Sequence, residues 1–419
     1  MIRDRRAIVA LLTALNFVNY IDRAVLASVL KPMAAELDLS NLQAGLLNSA
    51  FLIGYFATSP WFGARADRAA RKRLIALGVA VWSLATVASG LATGFLDLLA
   101  ARIVVGVGEA SFAVLAPTII DDLTAPARKA RTLAWFYLAI PLGYAMGYLL
   151  GGAVAKHWGW RAAFYVAGGP GLVLGAGCLA IAEPARKLAA ASTRLIDGLR
   201  ELVRIPLFRR ATAGYCVYTA AVGAFSYWAP TYLQRRFPHD LDIAQANFWF
   251  GVILLAAGAV GTFVGGQWGD RAVKARPAPP AGAAYDDPSH RGAVNVLLRV
   301  CAIGIAAAAP LTVASLVWPS AIGFFAIAFF VEVGVFLSTS PINAALLRAV
   351  PEERRASAMA GSIFAIHLFG DLWSAAALGL LLDVLPMVTA MMALPLAFAG
   401  AAAVWWPRRR EAATPPAAT

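Results

Sequence analysis

Twelve windows of mostly apolar residues recur along the 419-residue chain, at about 7–30, 41–62, 74–93, 97–119, 132–155, 161–182, 211–233, 243–268, 293–317, 320–346, 357–382 and 386–406. Each reaches the roughly 20 residues that an α-helix needs to cross the hydrocarbon core of a bilayer. In lipid every backbone N–H and C=O must find its partner inside the protein, which leaves helices and closed barrels as the spanning structures. The windows are far longer than the roughly 9–11 residues of a barrel strand. The expected fold is therefore an all-α polytopic membrane protein with twelve transmembrane helices. A hydrophobic fraction of 60% against 14% charged residues excludes an ordinary soluble domain.

The formal net charge of +13 would suggest a nucleic-acid partner in a soluble protein. Its placement argues otherwise. With the N-terminus inside, 28 of the 36 Lys and Arg fall in cytoplasmic segments and tails, five (Lys31, Lys156, Arg161, Arg235 and Arg236) fall in outer loops, and Arg23, Arg102 and Arg299 lie within helices. This is the positive-inside asymmetry. It predicts both termini in the cytoplasm and no nucleic-acid partner, and the same basic segments suit contact with anionic lipid heads. The Ala- and Arg-rich composition looks bacterial, so the inner (plasma) membrane is the expected location. Arg3, Arg5 and Arg6 precede the first window as in a signal peptide, but Asn16, Asn19, Asp22 and Arg23 interrupt its apolar run, so a retained helix is expected. Cys178, Cys216 and Cys301 fall inside apolar windows without metal-ligand spacing. They read as small core hydrophobes, with no disulfide framework, metal or cofactor implied.

Ionisable groups at membrane depth are costly and mark pathways for ions or substrates. Two stretches carry them in the first part of the chain. Arg102-Ile-Val-Val-Gly-Val-Gly-Glu109 holds an arginine and a glutamate seven residues apart. That is almost two turns, which puts both on one helix face about 10 Å apart. Asp22-Arg23 interrupts the first window. The first helix runs outward and the fourth inward, so Asp22 and Arg102 are expected at comparable heights, with Glu109 deeper. An acid whose neighbouring charge and hydration change as a protein rearranges can take up a proton on one side and release it on the other. Asp22 and Glu109 are the candidate proton carriers. Arg102 is their candidate shared partner, or the docking cation for a substrate phosphate. The plainer alternative is a permanent buried ion pair.

The chain repeats itself. After the second window it reads Gly63-Ala-Arg-Ala-Asp-Arg-Ala-Ala-Arg-Lys-Arg73, and after the eighth Gly266-Gln-Trp-Gly-Asp-Arg-Ala-Val-Lys-Ala-Arg276, an offset of 203 residues. Pro117 with Arg131 recurs as Pro341 with Arg355 at an offset of 224. The difference fits an insertion in the Pro- and Ala-rich run Ala275–Gly292. The expected organisation is two six-helix bundles, residues 1–182 and 211–407, joined by a charged cytoplasmic linker, 183–210, and followed by a tail, 408–419. Glycines three or four apart, as at Gly143, Gly147 and Gly151 or Gly258, Gly261 and Gly265, let helix backbones approach closely.

Two six-helix halves, each carrying this loop, resemble the major facilitator superfamily over nearly the whole chain. The resemblance implies two halves that rock about a site near the bilayer midplane. It also implies a conformational latch at Gly63, Asp67, Arg68 and Arg71, and at Asp270 and Arg271 in the second copy. A closer resemblance is to the spinster family. It rests on Asn16-Phe-Val-Asn-Tyr-Ile-Asp-Arg23, Gly106-Val-Gly-Glu-Ala-Ser-Phe112, Ala116-Pro-Thr-Ile-Ile-Asp121, Ala139-Ile-Pro-Leu-Gly143 and Gly147-Tyr148. This implies proton-linked transport of lysophospholipids, sphingosine 1-phosphate or related amphiphiles.

The expected substrate contacts are Asn19, Tyr20, Arg23 and Arg102 in the first half, with Tyr215, Tyr218, Phe225, Glu332 and Asn343 in the second. Arg23 shares a helix face with Asn16 and Asn19, or else snorkels outward. His367 and Asp371 lie four residues apart, close enough to interact. The predicted partners are the bilayer, protons and an amphiphilic small molecule, with the protein acting as a monomer. The rival readings are a proton-coupled symporter of a small organic anion (a sugar acid or carboxylate) and a multidrug-type exporter. An enzyme is not expected, because no nucleotide loop, metal-ligand cluster or Ser-His-Asp arrangement appears.

Overall fold

The computed structural model describes residues 2–66, 69–125, 128–182, 201–276, 287–351 and 354–407. Its elements are helices: α1 (Arg5–Ser28), α2 (Leu30–Glu36), α3 (Asn41–Ala66), α4 (Arg71–Ser89), α5 (Phe95–Leu123), α6 (Lys129–Leu179), α7 (Pro206–Arg236), α8 (Ile243–Lys274), α9 (Pro288–Val317), α10 (Ala321–Phe336), α11 (Thr339–Arg348), α12 (Arg355–Ile366), α13 (Leu372–Val384), α14 (Met387–Met391) and α15 (Ala393–Trp405). A π-helical turn, His367–Asp371, joins α12 to α13. Among the described residues nine helical stretches are long and apolar enough to cross a membrane. One of them, Trp135–Leu179, runs 45 residues and contains two crossings. Gly159 divides it with φ 79° and ψ 166°, a backbone state essentially confined to glycine. The helices α3 and α7, 26 and 31 residues long, are also long enough to cross, which completes the twelve spans.

The chain forms two compact units. The first holds Met1–Leu188 with Ser226–Val252 and Ala375–Val384; the second holds Ala189–Phe225, Ile253–Ser374 and Leu385–Thr419. In the first unit α1 packs along the leading part of α6, and α5 packs between α3 and α4. Lipid tails are as apolar as leucine, so helices associate there through close packing rather than through the hydrophobic effect. The glycines make that packing possible. A Cβ placed on Gly54 would fall 2.2 Å from the Ile103 carbonyl oxygen, and one on Gly106 would fall 2.1 Å from that of Phe51. The ends of α7, α8 and α13 belong to the same unit. The Tyr227 hydroxyl donates to the Ala44 carbonyl (2.6 Å) and the Trp228 indole to the Ala375 carbonyl (2.9 Å). Asp383 caps α3 by accepting from the backbone N–H groups of Asn41 (2.9 Å) and Leu42 (2.8 Å).

The repeat read in the sequence has a physical counterpart. Gly78 on α4 meets Gly108 on α5 so closely that a Cβ on either would lie 2.7 or 2.5 Å from the other's carbonyl oxygen. In the second unit Gly304 on α9 meets Gly334 on α10 in the same way, at 2.7 and 2.8 Å. Both pairs join the third and fourth spans of their half.

Backbone atoms cannot give way as a side-chain tip can. Gly108→Ala is therefore expected to destabilise the protein by about 1–3 kcal/mol. Gly169→Ala, whose added carbon meets nothing within 4 Å, should change stability by less than about 0.5 kcal/mol. Thermal unfolding of the two purified variants in detergent checks the contrast.

Candidate functional site: a buried charge cluster in the first unit

The first helix begins with Asp4, whose carboxylate accepts from the Arg6 N–H and caps α1. Further along, Asn16, Asn19 and Arg23 recur at helical spacing, and Asp22 follows Asn19 by three residues. The Asn16 amide donates to the Phe136 carbonyl of α6 (2.9 Å), pinning α1 against it. Asp22 is fully buried. Its Oδ2 accepts from the Thr86 hydroxyl of α4 at 2.7 Å.

Arg23 turns inward rather than snorkelling to the surface. Its Nε donates to Glu109 Oε2 at 2.7 Å, with the glutamate side chain 0% exposed. The guanidinium lies over the rings of Tyr20 (4.9 Å), Phe51 (4.9 Å) and Tyr55 (5.4 Å). An aromatic cage of this kind offers a cation-π contact to a desolvated charge. Arg102, 2% exposed, is the other user of the same ring, its guanidinium 5.3 Å from the Phe51 centroid. Two acids and two arginines thus balance in charge inside one helical unit, and the charges of Arg102, Glu109 and Arg23 all act on Asp22. Glu109 has Arg23 as its hydrogen-bonded partner, whereas sequence reasoning had offered Arg102 for both acids.

The cluster is only partly satisfied. Arg102 Nε and Nη1, Asp22 Oδ1, Glu109 Oε1 and Asn19 Nδ2 are buried and make no hydrogen bond to any described residue. Most buried polar atoms in proteins are paired, so a group of unpaired ones needs an explanation. Here they comprise two guanidinium nitrogens, one amide nitrogen and two carboxylate oxygens. Such a set suits chemistry in which a proton or an anionic group enters and leaves. Sequence reasoning had not singled out Thr86, Phe51 or Tyr55. The i, i+4 spacing of the two aromatics and a lone hydroxyl at Thr86 were the available signals.

The second unit holds the remaining predicted residues. Glu332 is 5% exposed and borders a space of about 10 Å³ with Phe225, Thr312 and Ser315, at the lower limit for one water. The Tyr218 hydroxyl donates to the Val335 carbonyl (3.1 Å), and the Asn343 amide donates back to the Thr339 carbonyl of its own helix (2.8 Å). The Tyr215 ring lies 5.9 Å from that of Tyr218. His367 Nδ1 and Asp371 Oδ2 are 2.8 Å apart within the π-helical turn, a backbone feature often found at functional sites.

Of the predicted latch residues, Asp67 and Arg68 lie outside the described residues. Gly63 is half-buried beside Val114. Arg71 is buried and reaches Asp122 Oδ2 (2.7 Å) and the Thr118 hydroxyl (3.1 Å), tying the start of α4 to the last turns of α5. Asp270 and Arg271 are exposed near the end of α8.

Removing one member of a buried ion pair leaves the other charge uncompensated. Arg23→Leu is expected to cost about 3–5 kcal/mol, and the double variant Arg23→Leu/Glu109→Leu substantially less. Unfolding of the single and double variants in a double-mutant cycle measures the coupling. Simple additivity would show that the two charges act independently.

Comparison with known proteins agrees with this architecture. The Major Facilitator Superfamily model matches residues 12–370. Protein spinster of Drosophila melanogaster is 33% identical over 376 residues, covering 87% of this chain and 59% of that protein. The chain thus spans rather more than half of the fly protein's length. The Arabidopsis thaliana protein named probable sphingolipid transporter spinster homolog 2 is 31% identical over 432 residues, covering 93% of this chain and 84% of that one. The crystal structure of a bacterial homolog of the human lysosomal transporter spinster, inward-facing and unoccupied, superposes with a TM-score of 0.82 at 22% identity, covering 96% of each chain. With twelve spans, a duplicated loop and these relatives, the chain belongs to the major facilitator superfamily and, within it, to the spinster family of transporters.

Proposed function

We propose that this transporter moves a lysolipid or sphingoid-phosphate-like amphiphile by proton-coupled alternating access. The single observation that carries the reading is the half-satisfied cluster of Asp22, Arg23, Arg102 and Glu109 in an apolar unit, with unused donors on Arg102 and unused acceptors on both acids. An anionic head group can take the guanidinium fork of Arg102. Protonation of Asp22 or Glu109 would then restore the charge balance that the incoming anion disturbs. In this exchange the arginine releases a carboxylate as it receives the substrate head, so protonation and cargo binding are linked without direct contact. Asn19 and Tyr20 of α1 stand next to the cluster and would shape the head-group end, while Tyr215, Tyr218, Phe225, Glu332 and Asn343 serve the remainder of the cargo. The loop residues Gly63, Asp67, Arg68, Arg71, Asp270 and Arg271 act as the latch.

The name of the Arabidopsis relative supports a sphingolipid-like cargo. The basic bias of one set of loops supports an inner-membrane protein with both termini in the cytoplasm. The decisive experiment is uptake into proteoliposomes with and without a proton gradient, using lysophospholipids, sphingosine 1-phosphate, a sugar acid and a drug-like cation. Gradient-dependent uptake confined to the sugar acid or the cation would overturn the lipid assignment.

Asp22→Asn and Glu109→Gln are each expected to abolish gradient-driven uptake while leaving measurable substrate binding. Uptake in either variant that still follows the gradient would remove that residue from the coupling.

Arg102→Lys keeps the charge but loses the bidentate fork. It should weaken binding of a phosphate-bearing lipid by about 1.5–3 kcal/mol and leave the dephosphorylated analogue nearly unchanged. Titration calorimetry or tryptophan quenching with the matched pair reads the difference. Equal weakening of both ligands would refute phosphate docking and leave Arg102 as a counter-ion alone.

A further inference from the structure

Two segments far apart in the chain meet at the start of α3. Ser40 and Gln43 form a capping box there: the Gln43 N–H donates to the Ser40 hydroxyl (3.1 Å), and the Ser40 N–H donates to the Gln43 side-chain carbonyl (3.0 Å). A helix start leaves its first N–H groups without partners, and the box takes the third of them. The first two, those of Asn41 and Leu42, both donate to Asp383 near the end of α13, to Oδ1 at 2.9 Å and Oδ2 at 2.8 Å. The Asn41 side-chain amide adds a bond to Oδ1 at 2.8 Å. The Arg235 guanidinium at the end of α7 donates to the Asn41 side-chain oxygen at 3.0 Å. Asn41 and Asp383 are 342 residues apart, one in each sequence half, yet both lie in the first compact unit.

Below this junction α3 and α13 meet backbone to backbone. A Cβ on Gly45 would fall 2.4 Å from the Ala375 carbonyl oxygen, and one on Gly379 would fall 2.2 Å from that of Asn41. Close helix contact of this kind is built from small residues. The bonds to Asp383 are exposed, so water can replace each partner when they separate. The capping box stays with α3 throughout, so α3 does not need Asp383 in order to begin. What the carboxylate holds is the approach of α13. A second tie between the sequence halves is of another kind: Lys156 and Asp242 pair at 2.9 Å with side chains 45% and 39% exposed, a screened point contact of little weight.

We propose that Asp383 is a releasable clasp on the outer side of the transport cycle. While its carboxylate sits on the first turn of α3, the outer ends of the two sequence halves are held together. When it lets go, water takes over the donors of Asn41 and Leu42, the glycine contacts part and the outer side opens. Asp383 is thus a positioning residue for transport. The proposal rests on the alternating-access part of the proposed function and not on its cargo.

The test measures a distance in the full chain, purified in detergent with no cargo added. Spin labels are placed by Ala35→Cys/His239→Cys, at exposed positions on α2 and in the loop between α7 and α8. Cys178, Cys216 and Cys301 are buried and stay unlabelled. Double electron–electron resonance should give mainly one short distance in this background. Asp383→Asn loses the charge and one acceptor, and should raise the ratio of long to short distances about tenfold. Asn41→Pro removes both Asn41 donors to Asp383 at the first helical position, where proline is well tolerated; it should shift the distances in the same direction. Lys156→Gln should leave them unchanged. An unchanged distribution in either Asp383→Asn or Asn41→Pro, once that variant is shown to be folded, overturns the proposal, as does an equal shift in Lys156→Gln. Should Asp383→Asn fail to fold, Asn41→Pro alone decides. Lipid uptake that fails while Asp383→Asn still lengthens the distance removes the cargo assignment and leaves the clasp in place.

Discussion

The contact that the rest of the first unit depends on is the backbone-to-backbone approach of Gly108 to Gly78. It brings α5 so near to α4 that neither position has room for a Cβ. Gly106, two residues earlier and on the opposite face of α5, meets the Phe51 carbonyl of α3 just as tightly. Glu109 then points in a third direction, toward α1 and Arg23. At 100° per residue a four-residue run thus addresses three neighbouring helices. A larger residue at position 106 or 108 would push α3 or α4 outward. The aromatic ring shared by the two arginines, or the Thr86 hydroxyl that holds Asp22, would move with it.

Within that frame the charges are balanced but incompletely paired. A permanently structural ion pair would be better served by full hydrogen-bond satisfaction, since each unpaired buried group carries a desolvation cost of about 1–3 kcal/mol. Replacing such groups by well-packed apolar residues is often neutral or stabilising. The first unit instead retains four ionisable groups with unused hydrogen-bonding atoms on three of them. Local stability is forgone at these atoms.

Much of the architecture was legible because membrane insertion imposes a coarse code. Spans of about 20 apolar residues, a duplicated Gly-x-x-x-Asp-Arg loop and the basic bias of one set of loops are local properties of the sequence. Ion pairing is different. Arg23 and Glu109 are 86 residues apart, and whether Glu109 meets Arg23 or Arg102 depends on helix rotation and on rings that no local pattern marks. Phe51 and Tyr55 read as ordinary apolar residues of the second span until the fold places a guanidinium over them. The two windows expected on either side of residue 159 are found, but the glycine-only backbone state at Gly159 that separates them was silent in the sequence.

The duplication also shows where the halves have parted. The Gly78–Gly108 contact recurs as Gly304–Gly334, so the packing geometry of the third and fourth spans is shared. The chemistry upon it is not. Carried across at the same spacing, Arg102 corresponds to Ala328 and Glu109 to Val335, and Phe225 stands where Asp22 would fall by the loop repeat. In place of the ion pair, the second unit has the Val335 carbonyl accepting from the Tyr218 hydroxyl. Its buried acid, Glu332, sits two residues before the contact glycine, where the first half has Gly106. One scaffold therefore carries a charge-balanced but hydrogen-bond-hungry cluster in one half and aromatic hydroxyls bonded to backbone carbonyls in the other.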